Sequence, residues 1–216
     1  MATTSIGAPG VVFPDATTQA SAANPNVITR IYQSPSPWTK PATLKAVRVT
    51  LVAGGGGGSG ARPGNAAAGG NGGNGGVLWG YAQAPTIPGP LTVTVGALGA
   101  GGTSGAVPSG IGSPGGTGGT SSFGAVFSTT GGGGGAYPGT NGASGGSFAI
   151  TPTSLQITSP IGANISPFGI PTTVNTGGVG NSAVGYGAGG AAGTGPGTPN
   201  AGGSGTAGFV IVEEFY

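Results

Sequence analysis

The chain alternates short apolar runs with long stretches that carry almost no side chains. Val47-Arg48-Val49-Thr50-Leu51-Val52-Ala53 has β-branched residues at alternating positions and reads as a strand, and it runs directly into Gly54 to Gly58. The figure returns with variations. Leu91-Thr92-Val93-Thr94-Val95-Gly96 opens a second glycine field, the apolar strand 123–130 leads into Gly131 to Gly135, and Gly208-Phe209-Val210-Ile211-Val212 follows a last field. Val77-Leu78-Trp79-Gly80-Tyr81 predicts a further strand with Trp79 and Tyr81 on one face. Pro160 to Pro171 is too rich in proline for a regular strand and reads as a loop. The pattern predicts a mostly β fold with little or no helix.

The glycine fields have a period of their own. Residues 69–76 read Gly-Gly-Asn-Gly-Gly-Asn-Gly-Gly, and Pro114-Gly115-Gly116-Thr117-Gly118-Gly119-Thr120 repeats the spacing. A period of three matches the polyproline-II helix, which has three residues per turn and no internal hydrogen bonds. Two of its three edges are then bare, so another backbone can lie directly against them. Ordering a glycine costs about 0.5–1 kcal/mol more than ordering an alanine, and the outward N–H and C=O groups need partners once buried. A bundle of parallel and antiparallel left-handed helices of the polyglycine-II type, joined by backbone hydrogen bonds, meets both demands. Collagen demands glycine strictly at every third position, and these fields break that rule. The predicted architecture is a short-strand β base with a packed bundle of glycine-rich polyproline-II-type helices.

Residues 1–36 differ from the rest and read as an N-terminal attachment or oligomerisation arm, with 37–216 as the glycine-rich domain. In the arm, Val11-Val12-Phe13-Pro14-Asp15 predicts a short strand ending in a turn. Ala16 to Ala23 predicts one or two helical turns without an apolar face. Val11, Phe13 and Asp15 are the candidate attachment residues. Trp38, just ahead of the first clear strand, reads as a core plug whose indole needs one hydrogen-bond partner, with a ligand-stacking role as the alternative.

Composition narrows the function. Glycine supplies 54 and proline 19 of the 216 residues, but only 4% are charged, so the charge-rich composition of disordered chains is missing. No charged residue lies between Arg62 and Glu213, which leaves no electrostatic footprint for nucleic acid. Cysteine and histidine are absent, removing the thiol nucleophile and the commonest general base and metal ligand. Glu213 and Glu214 are neighbours on a predicted strand and point to opposite faces, so they cannot work as a paired acid and base. The glycine runs are not followed by Lys-Ser or Lys-Thr as a phosphate loop requires. The expectation is a non-enzyme without cofactor or metal. There is no run long enough to span a bilayer and no secretion signal, so synthesis in a cytoplasm is expected. Binding suits the composition better. Trp79, Tyr137, Phe168 and Tyr186 among many Asn, Thr and Ser fit a carbohydrate or protein-loop contact, because aromatics give area at low entropic cost. The candidate receptor-contact residues are Tyr137 and Asn141 in the 136–141 turn, and Asn164, Phe168 and Asn175 in or beside the 160–175 loop. The competing reading makes them turn residues and packing plugs.

Taken in order, these motifs resemble the glycine-rich domain at the ends of bacteriophage tail fibres and related virion proteins. The match runs from Trp38-Thr39-Lys40-Pro41 through Val47–Val52, Gly54–Gly58, Leu91–Ala97, Gly118–Gly124 and Val126–Gly135 to Gly208–Glu214. Val11 to Gln19 is similar to a short Phe-Pro-Asp-Gly-Thr-Thr-Gln segment of phage fibre proteins, with Ala16 in the glycine position. The resemblance implies a β-sandwich-like base from which glycine helices project, and loops at the far end that contact a host in some adhesins. The expected function is a non-enzymatic virion protein, a tail-fibre or adhesin subunit that binds the bacterial surface. The alternative is a head-fibre or capsid decoration protein with a structural role. An ice-binding face is a third class, disfavoured by the irregular threonine spacing. Expected partners are other virion proteins through the arm, further copies of the chain as a trimer, and a host-surface glycan or outer-membrane protein. The expected location is the virion.

Overall fold

The computed structural model describes residues 5–7, 10–12, 18–19, 26–62, 69–106, 110–139, 142, 148–150, 156–161, 168–170, 179–194 and 200–216. Its strands are β1 (Ser5–Gly7), β2 (Gly10–Val12), β3 (Thr18–Gln19), β4 (Val27–Tyr32), β5 (Ser36–Trp38), β6 (Ala46–Val52), β7 (Val77–Gln83) and β8 (Leu91–Thr94). They continue with β9 (Ser121–Phe123), β10 (Phe127–Thr129), β11 (Phe148–Ile150), β12 (Gln156–Ile161), β13 (Gly169–Ile170), β14 (Val184–Gly185) and β15 (Phe209–Phe215). All pairings are antiparallel. The protein is mostly β; among the described residues the only helix is a single 3-10 turn at Ala84–Thr86.

Two five-stranded sheets carry the core, one in the order β12-β7-β6-β15-β4 and one in the order β11-β10-β9-β8-β5. On β6 the residues Val47, Val49 and Leu51 point at the second sheet and are fully buried. They meet Trp38 from β5, Val93 from β8, and Phe123 and Phe127 from β9 and β10. Trp38 packs edge-on to Phe123 with ring centroids 5.0 Å apart. Gly80, paired with Val49, has no Cβ because the Phe127 ring occupies that space. On the other face Val52, Val77 and Phe209 form a smaller cluster that Trp79, Tyr186 and Ile211 partly cover.

Several elements differ from the sequence reading, each for a local reason. The 123–130 run is not one strand. Gly124 takes φ +54°, the Val126 amide donates to the Phe123 carbonyl, and Phe127 folds back to pair with Phe123. Pro160 and Ile161 are not loop residues but the end of β12, paired with Leu78 and Val77. A strand at the sheet edge has one side without a ladder, and this one is also irregular between Ile157 and Ser159, so a proline is tolerated. Gly169 and Ile170, from the same stretch, form β13. Thr18–Gln19, expected in a helical turn, pairs with β2 as a strand. Val27–Tyr32, inside the stretch expected as the arm, belongs to the main sheet and is paired along its length with β15.

The glycine fields are held by backbone hydrogen bonds outside the strands. From β6 the chain continues as Gly54–Ala61, and all eight of these amides donate to a carbonyl of another segment at 2.8–3.0 Å. The acceptor segment changes with every residue and repeats every third. Gly54, Gly57 and Gly60 donate to Gly119, Gly116 and Ser113; Gly55, Gly58 and Ala61 to Thr206, Gly203 and Asn200; Gly56 and Ser59 to Gly73 and Gly70. These three neighbours run antiparallel. The carbonyls face three others that run parallel: Gly54 and Gly57 accept from Gly132 and Gly135, Gly55, Gly58 and Ala61 from Gly99, Gly102 and Gly105, and Gly56 and Ser59 from Gly190 and Gly193. The six neighbours also bond to one another in a closed ring: 96–105, 110–119, 130–136, 69–76, 187–193, 200–208, and back to 96–105.

Such close approach forbids side chains. A Cβ on Gly54, Gly57 or Gly60 would lie inside van der Waals contact with the carbonyls of Ala97, Ala100 or Thr103. One on Gly55 or Gly58 would meet Ala188 or Ala191. Ser59 is the exception among these positions, because its hydroxyl accepts from the Gly70 amide at 2.9 Å. Where a backbone acceptor is missing, a side chain supplies one. Asn74 Oδ1 accepts from the Gly189 amide, Asn71 Oδ1 from Ala192, Ser121 Oγ from Gly96 and Thr206 Oγ1 from Ala188.

Two stability tests follow from this packing. Gly57→Ala should cost more than about 4 kcal/mol, because backbone rather than a movable side chain stands in the way. Asn74→Leu should cost about 1–3 kcal/mol for the orphaned Gly189 amide, and thermal unfolding should rank the two in that order. Thr129 Oγ1 is buried without a partner. Thr129→Val should therefore leave stability unchanged or raise it by about 1 kcal/mol in the same assay.

Candidate functional site

The central segment leaves the sheet at Val52 and ends at Ala61, so the array has a sheet end and a far end. Register places the turns. The parallel segments climb to Ala106, Ala136 and Thr194, and the descending ones restart at Gly69, Gly110 and Asn200. Arg62, Ala106, Tyr137 and Thr194 are therefore gathered at the end remote from the sheets. Ala136 accepts from the Gly70 amide, level with Ser59.

Tyr137, a candidate receptor-contact residue, lies in the turn Tyr137–Gly139 at this far end and is half-buried. Phe168 lies elsewhere. It packs edge-on to Phe209 at 5.1 Å, beside the sheet, and Tyr186 meets the same ring at 4.9 Å. Phe168 is a partly exposed packing residue, and the structure does not bring it to Tyr137. The Tyr186 hydroxyl accepts from Gln33 Nε2. Asn141, Asn164 and Asn175 lie outside the described residues, as do Phe13 and Asp15 of the candidate attachment set. Val11 is in β2, paired with Ile6 and Gln19.

The densest polar chemistry is at the sheet end. Glu213 and Glu214 point to opposite faces of β15, as adjacent strand residues must. Glu213 forms a two-point ion pair with Arg48, both partners reaching solvent. Such a surface pair contributes about 0–1 kcal/mol. Glu214 is fully buried. Its Oε1 accepts from Trp38 Nε1 and from Arg30 Nε, each at 2.7 Å, and its Oε2 accepts from the Tyr216 hydroxyl at 2.8 Å. This is the indole partner that Trp38 required. Burial pushes the Glu214 carboxyl up, but the hydrogen bonds from Arg30, Trp38 and Tyr216 outweigh it and hold the group below the usual carboxylate range. The Arg48 hydrogen bonds lower Glu213 in the same sense.

No family model matches the chain, and a search of the curated proteins finds no similar sequence. Its function rests on its own residues. Among the described residues there is no group of three or more His, Cys, Asp or Glu that could hold a metal ion, and no helix is long and apolar enough to cross a membrane. The Glu214 cluster escaped the sequence reading because Arg30 and Trp38 lie 184 and 176 residues from it along the chain. The only visible signal was the alternation that turns Glu214 inward.

Glu214 makes stability depend on pH. A carboxyl depressed in the folded state stabilises fully above its unfolded value of 4.5, and that contribution is lost as pH falls through the folded value. Acid unfolding should therefore steepen below that value. Glu214→Gln should lose about 1.5–3 kcal/mol at neutral pH and flatten the acid limb, measured by denaturant unfolding across the pH range.

Proposed function

We propose that the seven glycine-rich segments are polyglycine-II helices packed as a bundle on the β base, and that the protein is a non-enzymatic virion fibre or adhesin subunit. In this reading the bundle holds its far-end turns against a bacterial surface. One observation carries it: the hydrogen-bond partner of the central segment rotates through three neighbours and returns at every third residue, which is the repeat of a threefold extended helix. At about 3.1 Å per residue, Gly54 to Ala61 spans roughly 20–25 Å, enough to separate the turns from the sheets. A bundle without charge along its length and with every central amide bonded is a rigid spacer, and a spacer serves presentation. Loops on a rigid scaffold are where recognition concentrates. The resemblance to phage tail-fibre domains supplies the setting, with the receptor a host-surface glycan or outer-membrane protein.

The assembly follows the same reading, with the N-terminal residues joining other virion proteins and the chain trimeric in the particle. Immunogold labelling with antibody to residues 130–142 should place gold at the tail tips. Particles carrying Tyr137→Ala should adsorb at least tenfold more slowly, with the isolated protein's melting temperature unchanged. Gold over the head would instead make this a capsid decoration protein, and unchanged adsorption would remove the far-end turns from recognition.

A further inference from the structure

Beside the buried Glu214 cluster lies an open cavity of about 230 Å3, lined by Arg30, Tyr32, Pro37, Trp38 and Thr39. Arg30 commits its Nε to Glu214 and also lies against the Tyr216 hydroxyl that bonds to the same carboxylate. The Tyr32 and Thr39 hydroxyls are without a described partner, whereas Trp38 Nε1 is already bound to Glu214. The Arg30 side chain is 47% exposed while the carboxylate beneath it is at 0%. A buried base therefore fixes a guanidinium whose outer edge stays open.

We propose that this cavity binds a single sugar residue that carries a carboxylate, of the uronic-acid type. The solvent-exposed part of the Arg30 guanidinium presents N–H donors that suit a carboxylate. Tyr32 and Thr39 offer hydroxyls to ring oxygens, and Pro37 with the Tyr32 ring gives an apolar wall for a sugar face. The volume lies below the roughly 300 Å3 at which drug-sized pockets begin, so one ring fits and an oligosaccharide must extend outside. A dianion such as phosphate fits less well, since Glu214 already offsets the single positive charge. An amino acid fits poorly too: both Glu214 oxygens are occupied, so no carboxylate faces the cavity to take an ammonium. The proposal draws on the host-surface reading only for where such a sugar would be met.

The chain has two tryptophans, which makes the test direct. Indole cross-peaks of the full isotope-labelled chain are followed by NMR while methyl glucuronide, methyl glucoside or acetate is added. Glucuronide should move the Trp38 peak saturably and leave Trp79 in place, with at most a tenth of the response from glucoside or acetate. Thr39→Val, which leaves the Glu214 network intact, should weaken glucuronide binding about 2- to 10-fold without shifting the thermal midpoint. A still Trp38 peak overturns the site. An equal response to glucoside overturns the carboxylate, and an equal response to acetate overturns the sugar. Since the isolated chain is titrated, gold on the head would leave this result standing, and a failed titration would leave the virion reading standing.

Discussion

A backbone that bonds to six neighbours at once leaves almost no room for side chains, and everything else in this protein accommodates that constraint. Gly54–Ala61 spends its amides on three antiparallel segments and all but one of its carbonyls on three parallel ones. Because those segments also bond to each other, the ring closes and its membership is fixed. The chain must leave the sheets, climb, turn and return repeatedly, which is why its strands are short and its connections long. Large side chains stand where the ring ends or faces outward, and the buried positions take nothing bulkier than Ala, Ser, Thr or Asn. Ile111, Pro114, Thr117 and Thr120 stand at three-residue spacing on the exposed side of their segment, and each blocks a further backbone from joining there.

The two halves are stabilised by different physics. Between the five-stranded sheets, Val47, Val49, Leu51, Phe123 and Phe127 are removed from water in the ordinary way. Beyond Val52 there is little apolar area to bury, and the terms that hold the array are hydrogen bonds and close contact between bare backbones. Each such bond contributes modestly, on the order of 1 kcal/mol, but leaving one unmade inside the array costs more. The side chains of Asn71, Asn74, Ser121 and Thr206 are therefore structural, standing in for backbone that is missing. The base adds a polar anchor, where Glu214 ties β4, β5 and β15 together through Arg30, Trp38 and Tyr216.

Much of this was legible in the sequence because the physics is local. The alternation in Val47–Val52 gave β6, the spacing of Trp79 and Tyr81 gave their shared face, and the Gly-Gly-Asn period gave a segment with two bare edges. The period could not say which segments are neighbours, since every glycine field offers the same bare surface. Proline content hid the end of β12, where the sheet edge relaxes the rule. The Phe123–Phe127 turn was hidden by its own apolar residues, with Gly124 the only break. For the candidate site, Tyr137 was readable as a turn residue, but its place at the far end follows from register alone. Phe168 looked like a loop aromatic until Phe209 was found beneath its edge.

The central claim is that Gly54–Ala61 is the saturated axis of the molecule, and native-state hydrogen exchange tests it most directly. Amides bonded on every side open only when the whole array opens. Gly55 to Gly60 should then exchange as slowly as Val49 and Leu51 in β6, with the free energy of global unfolding. Exchange of these glycines orders of magnitude faster than β6, at rates set by local opening, would contradict the account.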